Sequence, residues 1–559
     1  MSGAVLSWDP GASVPEDRRR ALMGPGAAFE MVPEVVLGTS QTVFARRLPH
    51  LRALLDEGVQ AFAEDPWLVH SSGAVTFGEA ALQIAGAAES LAQMGIGRGD
   101  RVALAAATRY EHAIMAWAVI AAGATVVGLN AWWAAPEMEY GISITRPKLL
   151  IGDAPRLARL QGRVPDLPTF DLEEVADTWF RRPAAMPTTP IDEDDPFVIL
   201  FTSGTTGRPK AAALSHRNNI NWIQAIALRS AMSGRSAARS CEIAATPMFH
   251  ISGLNSQAIA SVAVGTRLVF PDPPGRWSAE AHLALSERHG VTSWRLVPAQ
   301  GWKLVEEPSA PQRHLSDLRS IAFGGSFVSH ELLHRLVETW PQAAPGIVVG
   351  FGMTETNGTG ASGYLDEVLA APGCVGRPSP GTELRIWDPA RHELAPEATV
   401  GEIHIRSASV FLGYEGDHEA SRAVLDDERW YRTGDFGRIE DGRLILEGRR
   451  SDLIIRGGEN IYPREIEDRL TAHPDVTEAV VIGVPDRVLG EVVKAVVVRR
   501  SGSHVDADGI RGWVGAALAP FKVPALVQFR PSIPHNALGK PLRHLLDDDA
   551  DGPSPFLEE

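Results

Sequence analysis

Cysteine is nearly absent from the 559 residues, Cys241 and Cys374 being the only two. They are too few and too far apart for a disulfide framework or a paired-thiol zinc site, so both read as packing residues of a protein kept in a reducing cytoplasm. An excess of positive charge is absent as well: 53 Lys and Arg face 69 Asp and Glu, for a formal net charge of −16. That balance excludes a broad nucleic-acid surface, although a small phosphorylated ligand needs only a few local cations. The start, Met1 to Gly26, has no apolar stretch after a basic beginning, so no secretion signal is expected. Long hydrophobic runs are lacking too. The nearest to one, Ala113 to Leu129, is split by Gly123 into a helix-length piece, Ala113 to Ala122, and a β-branched piece, Thr125 to Leu129. A buried helix leading into a buried strand is expected there, not a membrane span. No internal repeat is visible.

What the chain has in quantity is alternation of short apolar strands with helices: Val102 to Ala107, the helix through Trp117, Thr125 to Leu129, then Ala135 to Ile142. Such units predict right-handed β-α-β crossovers and a layered α/β body. Further strands are expected at Phe197 to Phe201, Arg267 to Phe270 and Ile347 to Val349, with the Pro-containing stretch Arg181 to Pro190 joining subdomains of the body. Near Gly448 the texture changes. Two β-rich segments, Val476 to Val484 and Val492 to Val498, are flanked by helical ones, Pro463 to Ala472 and Ile510 to Leu518, which predicts a small α+β domain over residues 453–546. Pro463 suits a first helical turn, where its missing N–H is harmless. The acidic end, residues 547–559, is expected to be disordered.

Directly after Phe197 to Phe201 comes Thr202-Ser203-Gly204-Thr205-Thr206-Gly207-Arg208-Pro209-Lys210. Its glycines let backbone N–H groups turn toward an anion, its hydroxyls add donors, and Lys210 adds a positive charge, so a polyphosphate is the natural guest. The common nucleotide loop needs Gly, four residues, then Gly-Lys-Ser/Thr, and this segment lacks that spacing. It resembles instead the phosphate segment of the adenylate-forming superfamily, which contains acyl-CoA synthetases, luciferases and the adenylation domains of peptide synthetases.

The resemblance extends in order over roughly Glu64 to Leu545 and implies a role for each matching residue. Pro247 to Gly253 resembles the second motif, with His250 by the carboxylate to be activated. Phe323-Gly324-Gly325-Ser326 and Gly350-Phe351-Gly352-Met353-Thr354-Glu355 resemble the segments around adenine and the α-phosphate: Phe351, where most relatives carry Tyr, would stack on the base, Thr354 would bond the phosphate, and Glu355 would hold Mg²⁺ together with Thr206. Tyr431 to Asp435 resembles the ribose segment, with Asp435 accepting both hydroxyls and Arg449 as a second ribose contact. The resemblance places the body at residues 1–448, a hinge at 449–452 with Ser451 in place of the usual Asp or Lys, and a mobile small domain beyond. Gly457-Gly458-Glu459-Asn460 is close to the form typical of CoA ligases, and Lys540, in Pro534 to Lys540, would be the adenylation lysine, bridging carboxylate and phosphate oxygens.

The implied activity is that of an AMP-forming acyl-CoA synthetase of bacterial fatty-acid type, using ATP, Mg²⁺ and CoA. A second reading keeps adenylation but passes the acyl group to a carrier-protein thiol, an amine or another nucleophile. A third, a scaffold without catalysis, is disfavoured by the joint retention of Lys210, Glu355, Asp435 and Lys540. Trp222, Phe249, Leu254, Trp294, Met353 and Asn357 lie near motifs that line the acyl pocket in relatives, which implies an apolar aliphatic or aromatic acid. A homodimer is left open. His330-Glu331-Leu332-Leu333-His334 matches the zinc-protease helix pattern, but Ser329 reads as an N-cap and Leu332, Leu333, Leu336 and Val337 as an apolar face, so a packed helix without metal is expected.

Overall fold

Four-residue β-rich runs such as Leu149–Gly152 and Thr125–Gly128 are buried at every position, as parallel strands covered on both faces must be. The computed structural model describes residues 5–9, 14–202, 209–234, 239–449, 452–456, 459–486, 489–535 and 540–546, with backbone only for 449, 455, 459, 460, 490 and 544. Among these residues the body contains two large sheets. The first runs in the order Gly413–Tyr414, Lys210–Ser215, Pro196–Thr202, Thr125–Gly128, Arg101–Ala105, Leu149–Gly152 and Thr169–Asp171. Its strands from Pro196–Thr202 onward pair in parallel, while Lys210–Ser215 turns back antiparallel. The second has at its centre the parallel strands Ile347–Phe351, Ser320–Phe323, Ser293–Leu296, Cys241–Ile243 and Arg267–Val269.

The helix Tyr110–Ala121 carries the connection from Arg101–Ala105 to Thr125–Gly128, and Glu111 to Ala121 are all buried. Burial on every side explains a run that is apolar all round and yet crosses no membrane. Among the described residues no helix is long and apolar enough to do so. The two sheets share one core, in which Trp67 of the second sheet stacks on Phe77 at 5.0 Å and meets Trp117 edge-on at 6.4 Å.

A third sheet is antiparallel, with Thr382–Asp388, Gly401–Ser407, Tyr431–Glu440 and Arg443–Arg449 in spatial order. After it the chain forms a separate sheet of Glu459–Ile461, Ile454–Arg456, Gly490–Arg499 and Val476–Asp486, with Leu526–Phe529 beside Gly490–Arg499 and a core of its own under the helices Pro463–Thr471 and Ala507–Gly515. The second of these helices starts three residues before the expected Ile510, because the Asp506 side chain caps the Gly509 N–H at 2.8 Å, and it ends at Gly515, not Leu518. The zinc-like pattern is an ordinary helix, His330–Thr339, capped by Ser329 and buried through Leu332, Leu333 and Leu336. No cluster of metal-ligating side chains is found among the described residues. Cys241 and Cys374 are free and buried. The expected hinge residue Ser451 and the tail 547–559 lie outside the described residues.

Candidate active site

In open parallel sheets the loops leaving the carboxyl ends of strands gather on one edge, and ligands bind there. Here the loops after five strands of the two sheets meet around one cavity of about 820 Å³: Ala107 and Thr108, Ala131 and Trp132, Ala244 to Pro247, Val297 to Gln300, and Gly325 to Ser329. Gly350 to Met353, at the end of Ile347–Phe351, complete that side. The small domain covers the opening with Arg464, Glu467 and Asp468 of its first helix, with Thr477 to Val480, and with Ser532 to His535 and Lys540.

Of the residues expected to bind nucleotide, Gly325, Ser326, Gly350, Phe351, Gly352, Met353 and Asp435 line this cavity together with Lys540. Asp435 stands opposite Arg449 in the antiparallel ladder of the third sheet. Gly324, His250 and Thr354 do not line the cavity. Thr202 and Lys210 are register partners on neighbouring strands, so the segment between them leaves and rejoins the sheet at one place. Ser203, Gly204, Thr205, Thr206, Gly207, Gly457 and Gly458 lie outside the described residues, and of Arg449 and Glu459 only the backbone is described.

Glu355 sits in a short turn, Thr354–Thr356, and is 7% exposed. Its Oε1 accepts a 2.8 Å hydrogen bond from the Tyr414 hydroxyl. Lys210 Nζ lies 5.0 Å from the centre of the same Tyr414 ring, on the strand next to Gly413–Tyr414. The residue expected to meet phosphate and the residue expected to meet a cation are thus joined through a tyrosine that no motif pointed to. Tyr414 lies just over two hundred positions after Lys210, and only strand pairing brings the two together.

The segment carrying Lys540 is tied down on its far side. Arg543 bonds the Val481 carbonyl and pairs with Glu467 at 2.7 Å and Asp452 at 3.3 Å, and Lys494 donates to the Leu546 carbonyl at 3.0 Å. Burial drives the Asp468 carboxyl up to about 7, against the pull of the Arg464 cation. Burial also holds His250 neutral, with a pKa of about 4, so it serves at ordinary pH as an uncharged ring and not as an imidazolium.

Of the side chains expected around the acyl group, Phe249 and Met353 line the cavity. Trp222, Leu254, Trp294 and Asn357 do not. Trp294 is 1% exposed and packs edge-on against Trp340 at 4.8 Å, and Leu254 is equally buried in the core. Trp222 is buried as well, and the Asn357 carbonyl oxygen accepts from Asn255 at 2.7 Å, which braces the turn behind Glu355. Motif proximity selected them, but each is buried in packing or hydrogen bonds away from the cavity lining. The aromatic wall is built instead by Trp132, Phe249, Trp277, Trp302 and Phe327, with Arg276 and Lys303 also lining the space. Of these, Trp132 was within reach of a sequence reading, since it follows the strand Thr125–Gly128 at its carboxyl end.

Comparison with known proteins agrees with this geometry. Residues 55–415 match the AMP-binding enzyme family and residues 465–540 the AMP-binding enzyme C-terminal domain. A feruloyl-CoA synthase from an Amycolatopsis species is 32% identical over 85% of this chain and 94% of its own length. Among solved structures, ATP-bound MatB from Rhodopseudomonas palustris superimposes with a TM-score of 0.79 at 27% identity, covering 89% of this chain and 98% of its own. The o-succinylbenzoate CoA synthetase from Bacillus subtilis, solved with its acyl-adenylate intermediate, does so with a TM-score of 0.78 at 28% identity, covering 91% and 100%.

Proposed function

The chain belongs to the AMP-binding enzyme family and is an ATP-dependent, AMP-forming acid–thiol ligase that makes acyl-CoA, and on that premise we propose which residues run each half of the reaction. The observation that carries the proposal is one cavity shared by Lys540 of the small domain and by Asp435 and Gly350 to Met353 of the body.

In the first half-reaction the acid's carboxylate attacks the α-phosphorus of ATP and pyrophosphate leaves. Phe351 offers a face to the adenine, Asp435 accepts from the ribose hydroxyls while Arg449 makes a second ribose contact as donor, and the segment from Thr202 to Lys210 receives the β- and γ-phosphates. Lys540 holds the carboxylate and the α-phosphate oxygens together while negative charge shifts between them, and Thr354 adds a hydroxyl donor. Neutral His250 stands beside Phe249 and shapes the site without adding charge. Glu355 is a buried carboxylate whose Oε2 has no partner among the described residues, which suits a hard cation that also takes phosphate oxygens, and Thr206 would complete its protein ligands. Mg²⁺ bound there supplies charge neutralisation for the departing pyrophosphate.

In the second half-reaction the small domain, residues 453–546, turns about residues 449–452 with Ser451 as pivot. Lys540 withdraws, and Gly457, Gly458 and Glu459 come in beside the entering CoA thiol. The aromatic wall of Trp132, Phe249, Trp277 and Trp302 supports an apolar acid, aliphatic or aromatic, as substrate. The feruloyl-CoA synthase among the relatives accords with an aromatic one. Two buried unpaired thiols suit a reducing cytoplasm.

Hydroxamate trapping over a panel of aliphatic and aromatic acids, each run with and without CoA, tests the substrate reading. Turnover confined to short hydrophilic acids would overturn it.

A further inference from the structure

We propose that Tyr414 is a positioning residue for adenylation: it fixes the rotation of the Glu355 carboxylate that a divalent cation meets, and it seats Lys210 so that this ammonium is available to phosphate. The proposal rests on the reading of Glu355 as a cation ligand.

Four observations lead to it. The Tyr414 hydroxyl donates to Glu355 Oε1 at 2.8 Å, and no described residue bonds Oε2. Glu355 is 7% exposed and forms no ion pair with a described residue, so no described cation neutralises its charge. A buried carboxylate kept only for structure would be paired, because an isolated one is costly. The nearby cation, Lys210, rests instead over the Tyr414 ring at 5.0 Å. The aromatic ring attracts the ammonium through its face while its hydroxyl engages the carboxylate, so one side chain binds both charges without joining them in a salt bridge.

Tyr414 itself is held too firmly to follow its partners. Its strand pairs with Ala212 and Ala213, Ser421 Oγ accepts from its backbone N–H at 2.8 Å, and Phe411 packs edge-on to its ring at 4.9 Å. The Phe411 N–H in turn donates to the Glu355 carbonyl at 2.8 Å, so backbone and carboxylate of Glu355 are both located from the same short segment. Tyr431, edge-on to the same Phe411 ring at 5.6 Å, stands close enough to interact with the Tyr414 hydroxyl. Groups that orient a metal ligand from behind contribute about 10- to 100-fold to metal affinity.

The test is Mn²⁺ binding to the full-length enzyme with a non-hydrolysable ATP analogue, read from the free-ion signal in electron paramagnetic resonance, so that no turnover is needed. Tyr414→Phe keeps the ring under Lys210 and removes only the hydroxyl. It is expected to weaken Mn²⁺ binding about tenfold while leaving metal-free nucleotide binding unchanged. Tyr431→Phe should act in the same direction with a smaller shift, and it carries the test alone should Tyr414→Phe not fold. Glu355→Gln is the control. If Glu355→Gln weakens Mn²⁺ binding and neither tyrosine variant does, the positioning role is overturned while the ligand reading survives. If Glu355→Gln changes nothing, the ligand reading falls and the proposal with it.

Discussion

The Arg464 guanidinium lies 3.5 Å from the centre of the Phe327 ring. Arg464 is the second residue of the helix that opens the core of the small domain, and Phe327 follows a strand end of the body, so this contact joins the two on the rim of the cavity that holds Asp435 and Lys540. A desolvated cation over an aromatic face is worth about 0.5–2 kcal/mol. Losing it should release the small domain from the arrangement that places Lys540 in the cavity.

Phe327→Leu and Arg464→Ala are therefore expected to slow acid-dependent ATP–pyrophosphate exchange by about two- to thirtyfold, the range that contact energy allows. Thioester formation from supplied acyl adenylate should be spared. Equal slowing of both steps would show that the contact supports the fold and not the docking.

Asp468, one helical turn from Arg464, should make docking depend on pH. Its carboxyl is raised by burial from 3.8 to about 7, so the docked state keeps a proton that an exposed carboxyl gives up. Docking is then fully favoured below about pH 4, weakens as pH rises toward 7 and is level above it. A fluorescence distance probe spanning the two domains should report looser docking at pH 8 than at pH 6, and Asp468→Asn should flatten that difference. A wild-type signal that does not change between the two pH values counts against it.

Three histidines held away from water give the opposite sign for global stability. Burial lowers His216 to about 3, His250 to about 4 and His282 to about 3, all from 6.5. In the unfolded chain they take up protons as pH falls below 6.5, whereas the native ones do not. Stability from these residues is complete above pH 6.5 and declines by about 1.4 kcal/mol per pH unit for each as the pH is lowered toward 4. Asp468 offsets one of the three. The urea midpoint should accordingly drop between pH 7 and pH 5, and an unchanged midpoint would contradict the burial argument.

Gly352 is required for a reason other than room for adenine. A Cβ there would overlap the Gly358 carbonyl, on the far arm of the turn that carries Thr354 and Glu355, whereas a Cβ on Gly324 would meet nothing within 4 Å. Gly352→Ala should cost about 1–3 kcal/mol of stability and raise the KM for ATP as the turn shifts. Gly324→Ala should resemble the wild type in both thermal melting and KM.

The strands and the order of the site were legible because both are written locally. Runs such as Leu149–Gly152 are apolar at every residue, and the glycine-rich segments at the strand ends keep their own spacing whatever the rest of the chain does. Side-chain direction was not legible in the same way. Trp294 and Phe249 both stand near motifs, yet one packs on Trp340 in the core and the other faces the cavity, a choice made by sheet twist and by what lies on each face. Tyr414 was hidden for a related reason: its meaning depends on Ala212 as strand partner and on Glu355 across the turn, neither of which is near in sequence. Asp506 is a different kind of omission, a local capping signal that the apolar pattern after it concealed.

The central claim is that Lys540 serves adenylation from the shared cavity and has no part in thiol transfer. The most direct measurement separates the two half-reactions of Lys540→Ala: ATP–pyrophosphate exchange with a competent acid, and CoA thioester formation from chemically supplied acyl adenylate. Exchange should fall by about 100-fold or more, as expected when one preorganised charge-stabilising group is removed, while thioester formation stays near the wild-type rate. Loss of both to the same degree, or of neither, would contradict the account.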